Sequence, residues 1–355
     1  MPIISHLRGF GCLLAAVWGL ATPALAGVDG AALERTAPDA VRLTWTSRAP
    51  VDVLEAADRT FDRRTARVLA SHLTTGELEV KETGPGRHYY ILEDLADHQR
   101  LHMAERTLPL EQGSNFRDIG GYVAFGGRHV RWGMIYRSGA QPLLTAADLA
   151  RIRSLGLSRL VDLRSNEERI IAPSKITGIP TTAVGYGLMD MVKGASSLKN
   201  GYELYRNFPT FLAPELKVVF ADLLHGDAPV AYNCSAGQDR TGFVTAMILS
   251  ALGTPREVIV SDYLISMKVR HPEFEMPELN PAEHPNDPVV RMFAGYRSRP
   301  NWKTPDRLID EQDRPFLLGA FAEIEQKWGS VRGYLKAEIG LTDQDLERLR
   351  SMYLE

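Results

Sequence analysis

The chain reads as an α/β protein in which a mostly parallel sheet is flanked by helices and preceded by a small β module. Three observations predict this. Pro229 to Leu252 runs as a short apolar strand, a loop of small and polar residues, and an apolar helix stopped by Gly253. Upstream of it helix and strand patterns alternate, which favours parallel strands joined by helical crossovers. Before residue 107 the pattern changes to period two, the mark of half-buried strands.

Composition sets the outer bounds. The 355 residues include 41 Lys+Arg and 44 Asp+Glu, a net charge of −3, and 44% hydrophobic residues, so a sizeable core is available. Near-neutral charge without a basic run excludes a nucleic-acid-binding protein, whose affinity rests on neutralising phosphates. No repeat, heptad seam or low-complexity tract interrupts the chain.

Residues 1–26 read as a secretory signal peptide: His6 and Arg8 at the start, an apolar run from Phe10 to Leu20, Pro23, then Ala24-Leu25-Ala26. The run is too short to span a bilayer, so no stable membrane insertion is expected. Cleavage after Ala26 would start the mature chain at Gly27, in the periplasm or outside the cell. Cys12 leaves with the leader, and Cys234 becomes the single thiol.

Residues 27–106 form the expected β module. Val41 to Trp45, Leu78 to Val80 and Tyr89 to Leu92 carry strand patterns around a Gly84-Pro85-Gly86 turn. They loosely resemble a fibronectin type III-like sandwich.

Residues 107–355 form the larger domain. Thr145 with Asp148 caps a helix ending before Gly156; a strand follows at Leu160 to Leu163, then a helix from about Ala213 to Leu224. Thr254-Pro255 starts a helix toward Met267, and Arg314 to Trp328 and Thr342 to Tyr353 read as amphipathic helices. Seven of the 21 prolines lie between Pro272 and Pro305, so the segment at about 268–310 is expected to be irregular, either a lid or an ordinary insertion.

The loop after the strand carries the chemistry. Small residues at Ser235, Ala236 and Gly237 let successive amides turn inward as an anion nest, and the helix that follows points its positive end there. A tetrahedral phosphate fits such a cradle. Cys234 at its mouth is favoured as thiolate by the same potential and is the candidate nucleophile. Arg240 can curl back to grip two phosphate oxygens, and Thr241 can donate to the sulfur. Ser235 through Thr241, including Gln238 and Asp239, are the candidate substrate-binding residues.

Cys234-x5-Arg240 followed by Thr241-Gly242 resembles the phosphate loop of cysteine-dependent protein tyrosine phosphatases. The fuller run Cys-Ser-Ala-Gly-x-Asp-Arg-Thr-Gly is similar to a secreted bacterial branch with tyrosine and phosphoinositide activity. Asn115 to Tyr122, Leu160 to Glu168, Asp262 to Leu264 and Trp328 to Leu335 are similar to that branch's other motifs, in order. The resemblance spans about Leu108 to Leu354. It implies a protein tyrosine phosphatase-like fold, phosphorylated protein or phosphoinositide substrates, a cysteinyl-phosphate intermediate and no cofactor. Two positions depart from the pattern: Asn233 stands where the wider family has His, and Gln238 where the branch has Lys. Both remove positive charge, which leaves a catalytically weak phosphate-binding module as an alternative.

Three aspartates compete as general acid. Asp162, at the end of a strand parallel to the one before Cys234, comes first, because its motif resembles the segment implied to supply the acid. Asp239 in the loop is second, as acid or as a carboxylate bracing the loop. Asp190, in the loop-like run Gly187 to Met191, is third. Arg117 and Asp118 read as a turn-fixing pair before Gly120-Gly121, while Arg137 and Arg164 at strand ends are substrate-binding or structural. His98, His102, His271 and His284 lack metal-ligand spacing, so no metal is expected.

Overall fold

A computed structural model describes residues 27–84, 86–192 and 201–355. Residues 1–26, on which the expected signal peptide falls, and Pro85 of the expected turn lie outside the described residues.

The β module is a two-sheet antiparallel sandwich of seven strands: β1 (Asp29–Ala37), β2 (Ala40–Thr46), β3 (Val51–Ala56), β4 (Arg67–Leu73), β5 (Glu77–Lys81), β6 (Tyr89–Asp94) and β7 (Arg100–Ala104). One sheet runs β1-β2-β5 and the other β4-β3-β6-β7. Trp45 and Val41 on β2 meet Val53 and Tyr90 between the sheets, as period-two patterning requires. β1 escapes a sequence reading because Ala31-Ala32-Leu33-Glu34-Arg35 favours helix; pairing with β2 overrides that weak preference.

The larger domain is built on five strands: β8 (Arg117–Asp118), β9 (Ile135–Ser138), β10 (Arg159–Asp162), β11 (Thr181–Thr182) and β12 (Val230–Asn233). Their order is β11-β10-β12-β9-β8, the first four parallel and β8 antiparallel at the edge. The helices are α1 (Ala146–Ser154), α2 (Asn166–Ile171), α3 (Leu188–Val192), α4 (Gly201–Tyr205), α5 (Phe208–Phe211) and α6 (Ala213–His225), then α7 (Arg240–Leu252), α8 (Arg256–Val269), α9 (Pro288–Arg297), α10 (Leu317–Trp328), α11 (Val331–Ala337) and α12 (Asp343–Tyr353). One sheet face, with Ile135, Val161, Val230 and Tyr232, packs on α6, α7 and the C-terminal helices. The other face, with Tyr136, Leu160 and Ala231, packs on α1 and the segment around Leu108 and Phe116. Alternate residues of each strand therefore serve two cores, and the strand sequences read as unbroken apolar runs.

Helix ends follow local chemistry with two corrections. Thr145 with Asp148 forms the expected capping box of α1, and Thr342 with Asp345 forms one for α12. α7 begins three residues earlier than its apolar run, at Arg240, so the loop closes directly into the helix. α10 begins three residues later than expected, because the Asp310 carboxylate accepts from the amides of Gln312 and Arg314 and holds that stretch in a turn. The proline-rich segment is partly regular: Pro272–Phe274 makes one 3-10 turn, and α9 starts with Pro288 at its first position and Asp287 as its N-cap. Every α7 residue except Ser250 is buried, which fixes the phosphate loop at its N-terminus against the middle of the domain.

The β module is bonded into the larger domain. Trp132 packs with Leu54, Tyr89 and Ile91, and its indole N–H donates to the His102 carbonyl at 3.0 Å. Arg87 donates to Asp118 at 2.8 Å, and the same carboxylate accepts from the amides of Gly120 and Gly133. Asp118 thus fixes the turn on which the two units join, whereas Arg117, expected to share that role, points instead to Asp262. Trp132→Ala is expected to cost about 3–5 kcal/mol by removing a large buried side chain. Urea unfolding followed by circular dichroism should then show the module melting ahead of the larger domain.

Candidate active site

β10, β12 and β9 end in register, with Asp162 beside Asn233 and Asn233 beside Ser138. Cys234 follows at once, so the loop emerges at the carboxyl ends of parallel strands, where such sheets bind ligands. Gly237 closes the turn with φ of +62°, and a Cβ there would lie 2.4 Å from the Gly139 nitrogen. Only glycine fits both demands.

The loop's carbonyls are held from behind. Asn115 donates to the carbonyls of Ala236 and Gly237 at 3.0 and 2.8 Å, and Arg137 donates to Gly237 at 2.8 Å. Arg137 also reaches Asp262 at 2.6 Å, and Arg117 meets the same carboxylate at 3.1 Å. All three side chains are buried. Burial alone would raise the Asp262 carboxyl, but Arg117 and Arg137 hold it well below its ordinary range. Two guanidiniums against one carboxylate leave positive charge directly behind the anion cradle.

Arg240 is oriented by Glu168. Its Nη1 and Nη2 meet the two carboxylate oxygens at 2.6 and 2.7 Å, and Nη1 also donates to the Tyr186 hydroxyl at 2.7 Å. Among the described residues Nε has no protein partner, so that edge of the guanidinium is available to a ligand. Glu168 also accepts from the Ser235 hydroxyl at 2.5 Å and from the Ser165 amide at 2.8 Å. Burial pushes the Glu168 carboxyl up; Arg240, Ser235 and Ser165 overcome this and hold it down to about 2. Thr241 presents a buried hydroxyl with no partner among the described residues.

Cys234, Ser235, Ala236, Asp239 and Arg240 share a cavity of ≈ 340 Å³ with the proline-rich segment. Met276, Met292, Phe293 and Tyr296 give it apolar walls, and Arg270, Arg297 and Arg299 line it too. Gln238 accepts from Arg270 at 3.2 Å, and Arg270 pairs with Glu275 at 2.8 Å, which ties that segment to the loop. Among the described residues no group of His, Cys, Asp or Glu is placed to hold a metal ion, and no helix is long and apolar enough to cross a membrane.

The structure separates the three aspartates. Asp162 is clamped by Arg164, with contacts of 2.7 to 3.1 Å to both oxygens, and takes a further 3.3 Å bond from Asn233. It does not line the cavity, contrary to its leading place in the sequence reading. Asp190 is exposed on α3 rather than in a loop and also lies outside the cavity. Asp239 does line it. Arg117, Arg137 and Arg164 all face protein partners instead of the cavity. Sequence reasoning missed Glu168, Asn115, Asp262 and Arg270 as parts of the site. Of these only Glu168 carried a local signal, the capping box it forms with Ser165.

A parallel α/β sheet ending in a Cys-x5-Arg loop over such a cavity defines the class of cysteine-dependent phosphatases. The chain belongs to the tyrosine phosphatase family, whose family model matches residues 108–355. It is 31% identical to a Cupriavidus necator protein assigned as a tyrosine-protein phosphatase, over 68% of this chain and 86% of that one. It is 28% identical to the triple specificity protein phosphatase PtpB of Mycobacterium tuberculosis, over 71% of this chain and 100% of that one. A tyrosine-protein phosphatase of Nostoc commune is 26% identical over 58% of this chain and 69% of its own length.

Breaking the Glu168 pair should be costly. Glu168→Ala leaves Arg240 buried and unpaired, and a loss of about 3–5 kcal/mol is expected in denaturant unfolding. The sign with pH follows from the depressed carboxyl. Its stabilisation is full above its ordinary value of 4.5 and disappears as pH falls toward about 2. The gap in stability between wild type and Glu168→Ala should therefore narrow across that window.

Proposed function

We propose that this tyrosine phosphatase hydrolyses phosphotyrosine through a cysteinyl-phosphate on Cys234, with Asp239 as the general acid. The observation that carries the reading is the shared cavity: Cys234, Arg240 and Asp239 all line it, beneath apolar walls suited to an aromatic ring. Cys234 sulfur attacks phosphorus in line; the S–P bond forms as the P–O bond to the tyrosyl oxygen breaks. The inward amides of the loop and Arg240 stabilise the charge spread over the equatorial oxygens. Asp239 gives its proton to the departing phenolate, then takes one from the water that cleaves the S–P bond and releases phosphate. Asp162 holds Arg164 and stands outside the reaction. The Thr241 hydroxyl, left without a partner among the described residues, is the donor in reserve for the sulfur as it leaves phosphorus. Asn233 keeps strand β12 bonded to Asp162 without adding charge.

A second reading, phosphoinositide hydrolysis on the same scaffold, is favoured by Arg270, Arg297 and Arg299 at the cavity. The name of the Mycobacterium relative, a triple specificity phosphatase, supports breadth beyond phosphotyrosine. The leader at residues 1–26 supports export to the periplasm or beyond, with the mature chain starting at Gly27, which N-terminal sequencing of the exported protein tests. Segment 268–310 serves as the roof of the site.

The decisive assay is hydrolysis of a phosphotyrosyl peptide in EDTA. Cys234→Ser should abolish turnover. Asp239→Asn should lower kcat/KM about 100-fold, the ordinary worth of a general acid, while Asp162→Asn stays within about threefold. The reverse ranking of the two aspartates would move the acid to Asp162. Inositol lipids turned over faster than the peptide would establish the second reading instead.

A further inference from the structure

The Asp239 carboxyl is held by a chain of buried phenols. Asp239 is the N-cap residue of α7, where an aspartate ordinarily accepts from the first helical amides, yet its side chain makes no cap bond. It turns instead to the Tyr205 hydroxyl, which donates to Oδ1. Tyr205 in turn accepts from the Tyr263 hydroxyl at 2.7 Å. Both phenols are about 1% exposed. Burial, with the nearby Asp239 charge, raises each of them well above the ordinary phenol range, so both stay protonated donors. The Tyr205 ring cannot swing away: it packs against Phe208 at 4.5 Å, Tyr263 at 5.9 Å and Phe316 at 6.1 Å between centroids. Among the described residues the only other side-chain bonds to the carboxyl are long contacts from Gln238, at 3.4 and 3.5 Å.

We infer that Tyr205, backed by Tyr263, is a positioning residue for the general acid: it pins Oδ1 so that Oδ2 carries the proton toward the leaving oxygen. This rests on the reading of Asp239 as the acid. A donor on one oxygen fixes the plane of the carboxyl, and a second phenol behind it polarises the first bond in the same direction. The chain also accompanies the idle N-cap: the carboxyl is turned to Tyr205 and makes no bond to the helix amides. Tyr205 touches neither substrate nor the reacting atoms, and its effect passes wholly through Asp239.

The consequence is specific to the leaving group. A phenyl phosphate leaving group needs a proton, whereas p-nitrophenolate departs without one. In Tyr205→Phe, which keeps the ring and its packing, kcat/KM for phenyl phosphate should fall about tenfold and that for p-nitrophenyl phosphate by less than about twofold. Inhibition by inorganic phosphate should be unchanged, since the loop that binds it is intact. Tyr263→Phe should give the same pattern at about threefold, and it carries the test if Tyr205→Phe does not fold. Equal losses on both substrates would reduce Tyr205 to a packing residue and overturn the proposal. Asp239→Asn measured alongside separates the two failures. If it shows the leaving-group dependence and the tyrosine variants do not, the positioning role falls alone. If it shows none, the assignment of Asp239 as acid falls with it.

Discussion

The site depends on where two carbonyls point. A peptide unit that turns its amide toward a ligand must turn its carbonyl away, and a buried carbonyl needs a donor. Asn115 and Arg137 supply those donors to Ala236 and Gly237, so the inward amides cost no unpaired oxygen. Asp262 then balances part of the charge of Arg137 and Arg117. The anion cradle is therefore a property of residues from β8, β9 and α8 as much as of the loop itself. The same logic orders the other side, where Glu168 takes the Nη1–Nη2 edge of Arg240 and leaves Nε without a partner among the described residues.

Much of this was legible in the sequence where the determinants are local. The strand, loop and helix around Cys234, the cap of α1, the α12 helix, and the parallel order of β10 and β12 follow from patterns a few residues long. β1 was not legible, because its Ala-Leu-Glu-Arg run favours helix until β2 pairs with it. Asp162 shows a different limit. Its place at a strand end is correct, but Arg164 lies two residues on and folds back onto it, and no spacing rule reports which way that guanidinium turns. Asn115, Asp262 and Arg270 reach the site across more than thirty residues of chain, beyond any local pattern. Asp239 read equally well as acid or brace; its carboxyl is bonded to Tyr205 of α4 and, at 3.4 Å, to Gln238 within the loop, partners that no local pattern reports.

The proline-rich segment and the β module place the chemistry in context. The first puts Met276, Met292, Phe293 and Tyr296 over the loop and is tied down through Arg270, Glu275 and Gln238. Gln238 thus exchanges a possible charge for a bond that holds the roof. The β module touches the larger domain through Trp132 and Asp118, at the turn that leads into β9, and so supports the strand that carries Arg137.

The most direct measurement is a crystal structure of Cys234→Ser with phosphotyrosine bound. The account predicts the phosphate inside the loop, bonded by the amides of residues 235–240 and by Nε of Arg240, with Oδ2 of Asp239 facing the bridging oxygen. A phosphate held instead by Arg297 and Arg299, or a bridging oxygen that faces away from Asp239, would contradict it.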